Sequence, residues 1–291
     1  MTARRLAEVA ATWVDLAEDS VAAIAGAGAP RVDPRTLAEL ALDPPNPPEG
    51  DVDLRLVGFF DADYPSALRD ISNPPAVLWL RGTAPEGPMA AVVGTRHPTN
   101  AGLSRVQKVV SVLVSAGYGV VSGLAIGVDA AAHEATLKAG GSTWAYLGSG
   151  VDMPTPKANE ALAERILEAG GGLLAEVDPG TRSSARTLVA RDRLQSGTSS
   201  LTVIGQSGIP SGTLHTARFT IEQGRPLVVV APPAGEFDEA AWAGNRALCD
   251  PEGCDPGILH ASGGLADRIS TKRPVADRVL SSASDLLEIL K

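Results

Sequence analysis

The sequence is poor in cysteine, in aromatic residues and in long apolar runs. Two cysteines, Cys249 and Cys254, cannot staple a chain of 291 residues, so the fold does not rest on a disulfide framework. Aromatic residues make up 4%, which leaves few platforms on which bases could stack. No apolar run approaches the roughly 20 residues that a membrane span needs. Glu8, Asp15, Glu18 and Asp19 interrupt any apolar core of a secretory leader. A cytoplasmic chain with no membrane partner is expected. Basic residues are also in the minority. The 25 Lys and Arg face 34 Asp and Glu, a net charge of −9, which excludes a surface that is basic all over.

What is present suits a packed domain. Hydrophobic residues are 44% and charged residues 20%, enough apolar material to bury a sizeable core. The charge is unevenly placed. Residues 1–89 carry 7 basic against 14 acidic residues, and residues 231–291 carry 6 against 10. Residues 90–230 carry 12 against 10, so an anion-binding site belongs in the middle.

The first forty residues have helical spacing, with Leu6, Val9, Ala10, Trp13 and Val14 on one stripe, followed by Val21–Ala27 and Thr36–Leu42. Four prolines in Asp43–Gly50 exclude a helix there, which makes this a linker and sets a boundary at residue 50. Residues 51–291 are read as one extended domain. Leu54–Phe60 and Val77–Arg81 look like strands around a small helix at Pro65–Ile71.

From Met89 to about Ala231 a regular rhythm sets in. Strands are expected at Ala90–Val93, Gly119–Val121, Thr143–Leu147, Gly172–Ala175, Ser200–Ile204 and Leu227–Val230. Helices are expected near Ala101–Ala116, Asp129–Ala139, Asn159–Ala169, Arg186–Ser196 and Thr213–Gln223. Continuous apolar strands alternating with helices predict an α/β fold with a doubly wound, mostly parallel, Rossmann-like sheet. After Pro232 the chain is rich in Gly, Pro and Asp until Val279–Leu290, where a terminal helix is expected.

In such a sheet, ligands sit beyond the carboxyl ends of the strands, where helix N-termini present free N–H groups. The loops there are Gly94-Thr95-Arg96, Ser122-Gly123 with Gly127 four residues on, Gly148-Ser149-Gly150 and Ser211-Gly212-Thr213. Glycine lets backbone approach a ligand closely, Arg96 offers a planar fork for a phosphate, and small hydroxyl residues suit a phosphate at a helix start. Neither Gly-x-Gly-x-x-Gly nor the Walker pattern occurs, which disfavours ordinary dinucleotide and nucleoside-triphosphate sites. No cofactor is expected.

The densest basic stretch is Arg182…Arg186…Arg191-Asp192-Arg193. On a helix, Arg186 and Arg193 share a face and Arg191 points away from it. Either this is a solvated helix with Asp192 as counter-charge, or Arg186 and Arg193 clamp phosphate over the mouth of the sheet. His133 in an alanine-rich helix reads as a core imidazole. Cys249 and Cys254 lack further ligands at zinc-finger spacing. Asp129 and Asp152 could form an acid–base pair, though each also suits an ordinary helix cap.

Several segments together resemble the DprA/Smf DNA-processing proteins. They are Tyr64-Pro65, Asn73-Pro74-Pro75 and Trp79–Gly82; Val93–Arg96; Ser122–His133; Leu147–Asp152; Ser211–Leu214 with Glu222–Arg225; and Asn245-Arg246. The resemblance implies an extended Rossmann domain, a homodimer, single-stranded DNA in a basic pocket and delivery of DNA to a RecA-type recombinase. It makes Arg96 a phosphate ligand, sets Arg191 and Arg193 on the family's Arg-Asn-Arg run, and puts the glycine and serine loops on the pocket floor. Leu188 stands where the family has an aromatic before that run, Asp192 replaces its asparagine, and Thr155-Pro156 replaces its Tyr-Pro.

Two functions are therefore in contention. One is a single-strand-binding recombination mediator without chemistry of its own. The other is a nucleotide-binding sensor or nucleoside-monophosphate-processing protein of the same superfamily. The related hydrolases carry Pro-Gly-Gly-x-Gly-Thr-x-x-Glu, whereas Pro210-Ser211-Gly212-Thr213 is followed by Thr216 where the glutamate would stand, which disfavours hydrolysis. One positive site on an acidic chain yields a measurable expectation. Affinity for oligo-dT falls steeply with salt, with a slope set by only a few phosphates, as read from titrations at two or more salt concentrations.

Overall fold

The computed structural model describes residues 54–59 and 61–290. The expected N-terminal helices, the proline-rich linker and the boundary at residue 50 lie outside the described residues. The described residues form one mixed sheet in the order β1-β2-β6-β5-β4-β3-β7-β8-β9. Its strands are β1 (Leu54–Gly58), β2 (Val77–Gly82), β3 (Met89–Val93), β4 (Gly119–Ser122), β5 (Thr143–Leu147), β6 (Gly172–Ala175), β7 (Leu201–Ile204), β8 (Leu227–Val230) and β9 (Arg278–Leu280). β2 runs antiparallel to both of its neighbours, β1 and β6, and every other pairing is parallel. The α/β, mostly parallel sheet expected from the sequence is present.

Helices cover both faces, and the alternation along each strand shows how. Ala90, Val92, Val228 and Val230 face α1 (Asn100–Ser115) and α2 (Val128–Lys138). On the same face, Ala145, Leu147, Leu173 and Ala175 meet α3 (Glu160–Glu168). The alternate positions Val121, Tyr146 and Leu174 pack with Leu194 of α4 (Ala185–Thr198). Val93, Ile204, Leu227 and Val229 pack with Leu214, Ala217 and Ile221 of α5 (Thr213–Glu222). Both faces are thus apolar, which is why these strands read as continuous hydrophobic runs. Among the described residues no helix is long and apolar enough to cross a membrane.

The topology creates the site. From β3 the chain builds outward through β4, β5 and β6, and α4 then carries it back to β7 on the other side of β3. The loops after β3 and β7 therefore leave in opposite directions, opening a crevice at the carboxyl edge.

The carboxyl-terminal third departs from expectation. The terminal helix at Val279–Leu290 is instead strand β9, paired with β8 through Val229↔Val279 and Val230↔Leu280, followed by a 3₁₀ turn at Ala283–Glu288. Ser282 and Asp285 cap that turn reciprocally, so helical winding starts only after the strand ends. The Gly-, Pro- and Asp-rich stretch before it holds two short helices, α6 (Ala243–Cys249) and α7 (Gly263–Thr271). Buried Asn245 ties α6 to the sheet. It accepts from the Ser207 N–H at 2.6 Å and donates to the carbonyl of Val230 at 2.8 Å.

Gly82 ends β2 with φ +86, beside Gly172 of β6. An added Cβ would lie 2.5 Å from the Gly171 carbonyl oxygen and 3.2 Å from Gly172 Cα, both backbone atoms that cannot swing aside. Gly82→Ala is expected to lower stability by about 2 kcal/mol or more, measured by urea unfolding.

Candidate functional site

The floor of the crevice is the turn after β3. The Thr95 N–H donates to the Gln206 carbonyl at 2.7 Å, joining the loops after β3 and β7, and the Val128 N–H donates to the Thr95 carbonyl at 3.1 Å. Gly127 makes that second junction possible. It has φ +89, and an added Cβ would collide with the backbone of Thr95 and Arg96. The turn is thereby held rigid while the Arg96 side chain stays exposed at the rim. Among the described residues Arg96 has neither an ion-pair partner nor a hydrogen-bond partner.

One wall is α4. Leu188, Arg191, Asp192 and Gln195, spaced i, i+3, i+4 and i+7, form the stripe that faces the crevice. Arg191 runs inward and donates from Nη1 to the Tyr146 carbonyl at the end of β5, at 2.9 Å. With its amide oxygen turned toward them, Gln195 accepts from Arg191 and, at 3.1 Å, from the Gly123 N–H. The opposite wall is the start of α5, where Ser211-Gly212-Thr213 brings a helix N-terminus to the cavity.

Together these elements enclose a cavity of about 440 Å³ that Gly94, Thr95, Arg96, Arg191, Ser211, Gly212 and Thr213 all line. A second cavity of about 220 Å³ adjoins it, sharing Arg96, Leu188 and Arg191 and adding Gly123, Ile126, Thr155 and Pro156. Oxygen acceptors of a phosphate would find Arg96, the α5 N-terminus and the Ser211 and Thr213 hydroxyls converging from two sides.

Two acidic groups share this space. Asp129 is buried at the start of α2, where its carboxylate accepts from the Gly123 N–H at 3.2 Å. Burial pushes its carboxyl group up, against the pull of Arg191. Asp192 Oδ1 lies 3.1 Å from Arg191 Nε, close enough for an ion pair without hydrogen-bond geometry. Burial pushes Asp192 up to about 7, opposed by Arg191 and Arg96 and reinforced by Asp129. Asp152 does not join them. It accepts from the Gly180 N–H at 2.8 and 3.0 Å and ties two loops together, so the possible Asp129–Asp152 pair is not formed.

Other expected site residues fall elsewhere. Ser122 is buried with its hydroxyl donating to the Val92 carbonyl at 2.7 Å. Gly148 makes room for Leu188, whose Cδ2 would lie 2.9 Å from an added Cβ. Arg186 is exposed on the first turn of α4 and lines neither cavity. Arg193 turns away from the crevice, gripping Glu176 in a bidentate pair at 2.6 and 2.8 Å and the Asn73 carbonyl at 3.0 Å. The shared face expected for Arg186 and Arg193 is therefore not the crevice face, and Arg191 supplies the arginine instead. Gln195 and His215 also line the cavity and carry no signal beyond their offsets from Arg191 and Thr213. His133 is a core residue, with Nδ1 2.7 Å from the Thr143 hydroxyl and its pKa lowered to about 3 by burial.

These placements separate two kinds of arginine. Arg193→Ala removes a half-buried ion pair and the bond to the Asn73 carbonyl, and is expected to cost roughly 1–3 kcal/mol of stability. Affinity for oligo-dT should stay within about two-fold of wild type wherever the protein is folded, since no phosphate contact is removed. Thermal melting and titration on the same preparation check both halves.

Comparison with known proteins places this geometry. Residues 55–252 match the model of the family described as DNA recombination-mediator protein A. The chain is 36% identical over 186 residues to Protein Smf of Synechocystis, covering 62% of this chain and 46% of that protein. It is 35% identical over 181 residues to DNA processing protein DprA of Bacillus subtilis, covering 61% and 60%. The chain thus spans about half the length of the curated relatives it matches. Among solved structures it is similar to DNA processing protein A of Streptococcus pneumoniae, with a TM-score of 0.64 and 26% identity over 89% of this chain and 78% of that one. The Helicobacter pylori protein of the same name shares the fold, with a TM-score of 0.64 and 21% identity over 82% and 96%. A match across most of the described sheet means that the chain belongs to the DNA recombination-mediator protein A family.

Proposed function

We propose that the crevice between β3 and β7 binds the phosphates of single-stranded DNA, and that the chain is a recombination mediator. In this reading it holds the strand for a RecA-type recombinase, works as a homodimer in the cytoplasm, and needs no cofactor or catalytic step. The observation that carries the reading is Arg96. Among the described residues it is a cation without a hydrogen-bond or ion-pair partner, set on a rigid turn and facing a helix N-terminus at the switch point of the sheet. Membership of the recombination-mediator family supports the choice of nucleic acid.

A second reading draws on a specific feature of the same cavity. Asp129 and Asp192 stand among its phosphate donors, and an acidic wall suits a small phosphorylated ligand that offers donors of its own better than it suits a polymer. Titration with oligo-dT, double-stranded DNA and mononucleotides separates the two. Preference for mononucleotides over oligo-dT would favour the sensor.

Arg96→Ala tests the first reading directly. Loss of one charge-assisted phosphate contact is expected to weaken oligo-dT binding about ten-fold or more. The slope of log affinity against log salt should become shallower by about one. Unchanged affinity with an intact fold would remove Arg96 from the binding site.

A further inference from the structure

A carboxylate inside a phosphate-binding cavity opposes its ligand, and Asp192 is such a group. Its side chain is 12% exposed and lines the larger cavity together with Arg96 and Arg191. The charged and titratable groups that face it come from every wall. They are Arg191 on its own helix, Arg96 and His97 from the turn after β3, Asp129 at the start of α2, and His215 on α5. With both carboxyl groups ionised, two carboxylates offset the charge of the two arginines and weaken the cavity's attraction for a phosphate. Arg191 is further restrained, since Nη1 is committed to the Tyr146 carbonyl and Nε lies against Asp192.

We propose that Asp192 determines which anions this cavity accepts, by coupling the binding of a phosphate group to the uptake of one proton on its own carboxyl group. The proposal rests on phosphate entering the cavity, as in the function proposed above. The proton comes from solvent and ends on an Asp192 carboxyl oxygen. The neutral group no longer balances Arg191, and its O–H becomes a donor that a phosphate oxygen can accept. The environment already favours this form, because burial pushes Asp192 up to about 7 before any ligand arrives. The sign follows from linkage. Below about pH 7 the proton is already in place and affinity is level. Above it the proton must be taken up on binding, and affinity falls by up to about ten-fold per pH unit.

The test uses labelled oligo-dT between about pH 6 and pH 8.5 at constant ionic strength, with wild type, Asp192→Asn and the double variant His97→Gln, His215→Asn. Wild type is expected to bend downward above about pH 7. Asp192→Asn, which mimics the protonated side chain, should be flat and about ten-fold tighter than wild type near pH 8. The double variant should keep the wild-type bend. A wild-type bend in Asp192→Asn, or its loss in the histidine variant alone, overturns the proposal.

Calorimetry on wild type supplies a measurement that needs no variant to fold. Thymidine monophosphate, whose phosphate is fully ionised at that pH, is titrated near pH 8 in two buffers of different ionisation heat, and close to one proton taken up per site is expected. No uptake overturns the proposal. If thymidine monophosphate binds with uptake and oligo-dT does not bind at all, the single-strand reading fails while the proton linkage stands. No binding of either probe at any pH overturns both.

Discussion

The structure depends on accommodating one buried guanidinium. Arg191 lies within the protein beneath the crevice, where an unpartnered charge would be prohibitive, so its surroundings are organised to satisfy it. The carbonyl of Tyr146 accepts from it at the end of β5, Gln195 turns toward it one helical turn later, and Asp192 supplies the opposite charge. Gly123 bears no side chain because the guanidinium occupies the place where one would stand. These contacts draw the ends of β4 and β5 and the middle of α4 to one point. They fix how α4 crosses the sheet on its way to β7, and so fix the wall of the crevice. Removing Arg191 would therefore confuse binding with architecture, whereas Arg96 at the rim can be changed alone.

Much of the fold was legible because burial on two faces leaves a strong trace. A strand such as Leu227–Val230, covered by α1 on one side and α5 on the other, must be apolar throughout, and such runs stand out between helical stretches. β9 leaves no such trace. It lies at the sheet edge, is three residues long and exposes two of them, so its single buried Leu280 merges with the apolar residues of the following turn into an apparent helix. α6 and α7 are short, and α7 buries only Ile269 completely, too little periodicity to register against many glycines and prolines.

The site was legible in its loops and not in its helix. Small residues after β3 and before α5 do meet at the cavity, as the switch-point rule requires. Others of the same type serve packing. Ser122 satisfies a strand carbonyl, and Gly148 admits Leu188. For α4, reasoning from spacing failed for a physical reason. Every residue from Arg191 to Thr198 is buried, so the helix has no solvated face from which to infer an orientation. Spacing alone puts Arg193 with Arg186 as the clamp and points Arg191 away, yet Glu176 and the Asn73 carbonyl already hold Arg193.

The same pairing explains why the charge excess of the middle segment is a poor measure of its field. Arg165 is held by Glu134, Arg193 by Glu176 and Arg191 by Asp192, so these cations project little charge outward. Arg105 donates to the Ser281 carbonyl, and Arg218 lies over the Phe219 ring at 4.2 Å. Arg96 has no such engagement among the described residues, and it stands where a helix N-terminus adds its own partial positive charge. A surface that is acidic on average can thus hold one anion site, because potential at a cavity depends on the nearest unpaired charges and decays within about 8–10 Å in salt. The acidic remainder then has a consequence of its own. In the proposed function, the excess of carboxylates away from the crevice disfavours a polyanion there and directs it to the place where β3 and β7 part.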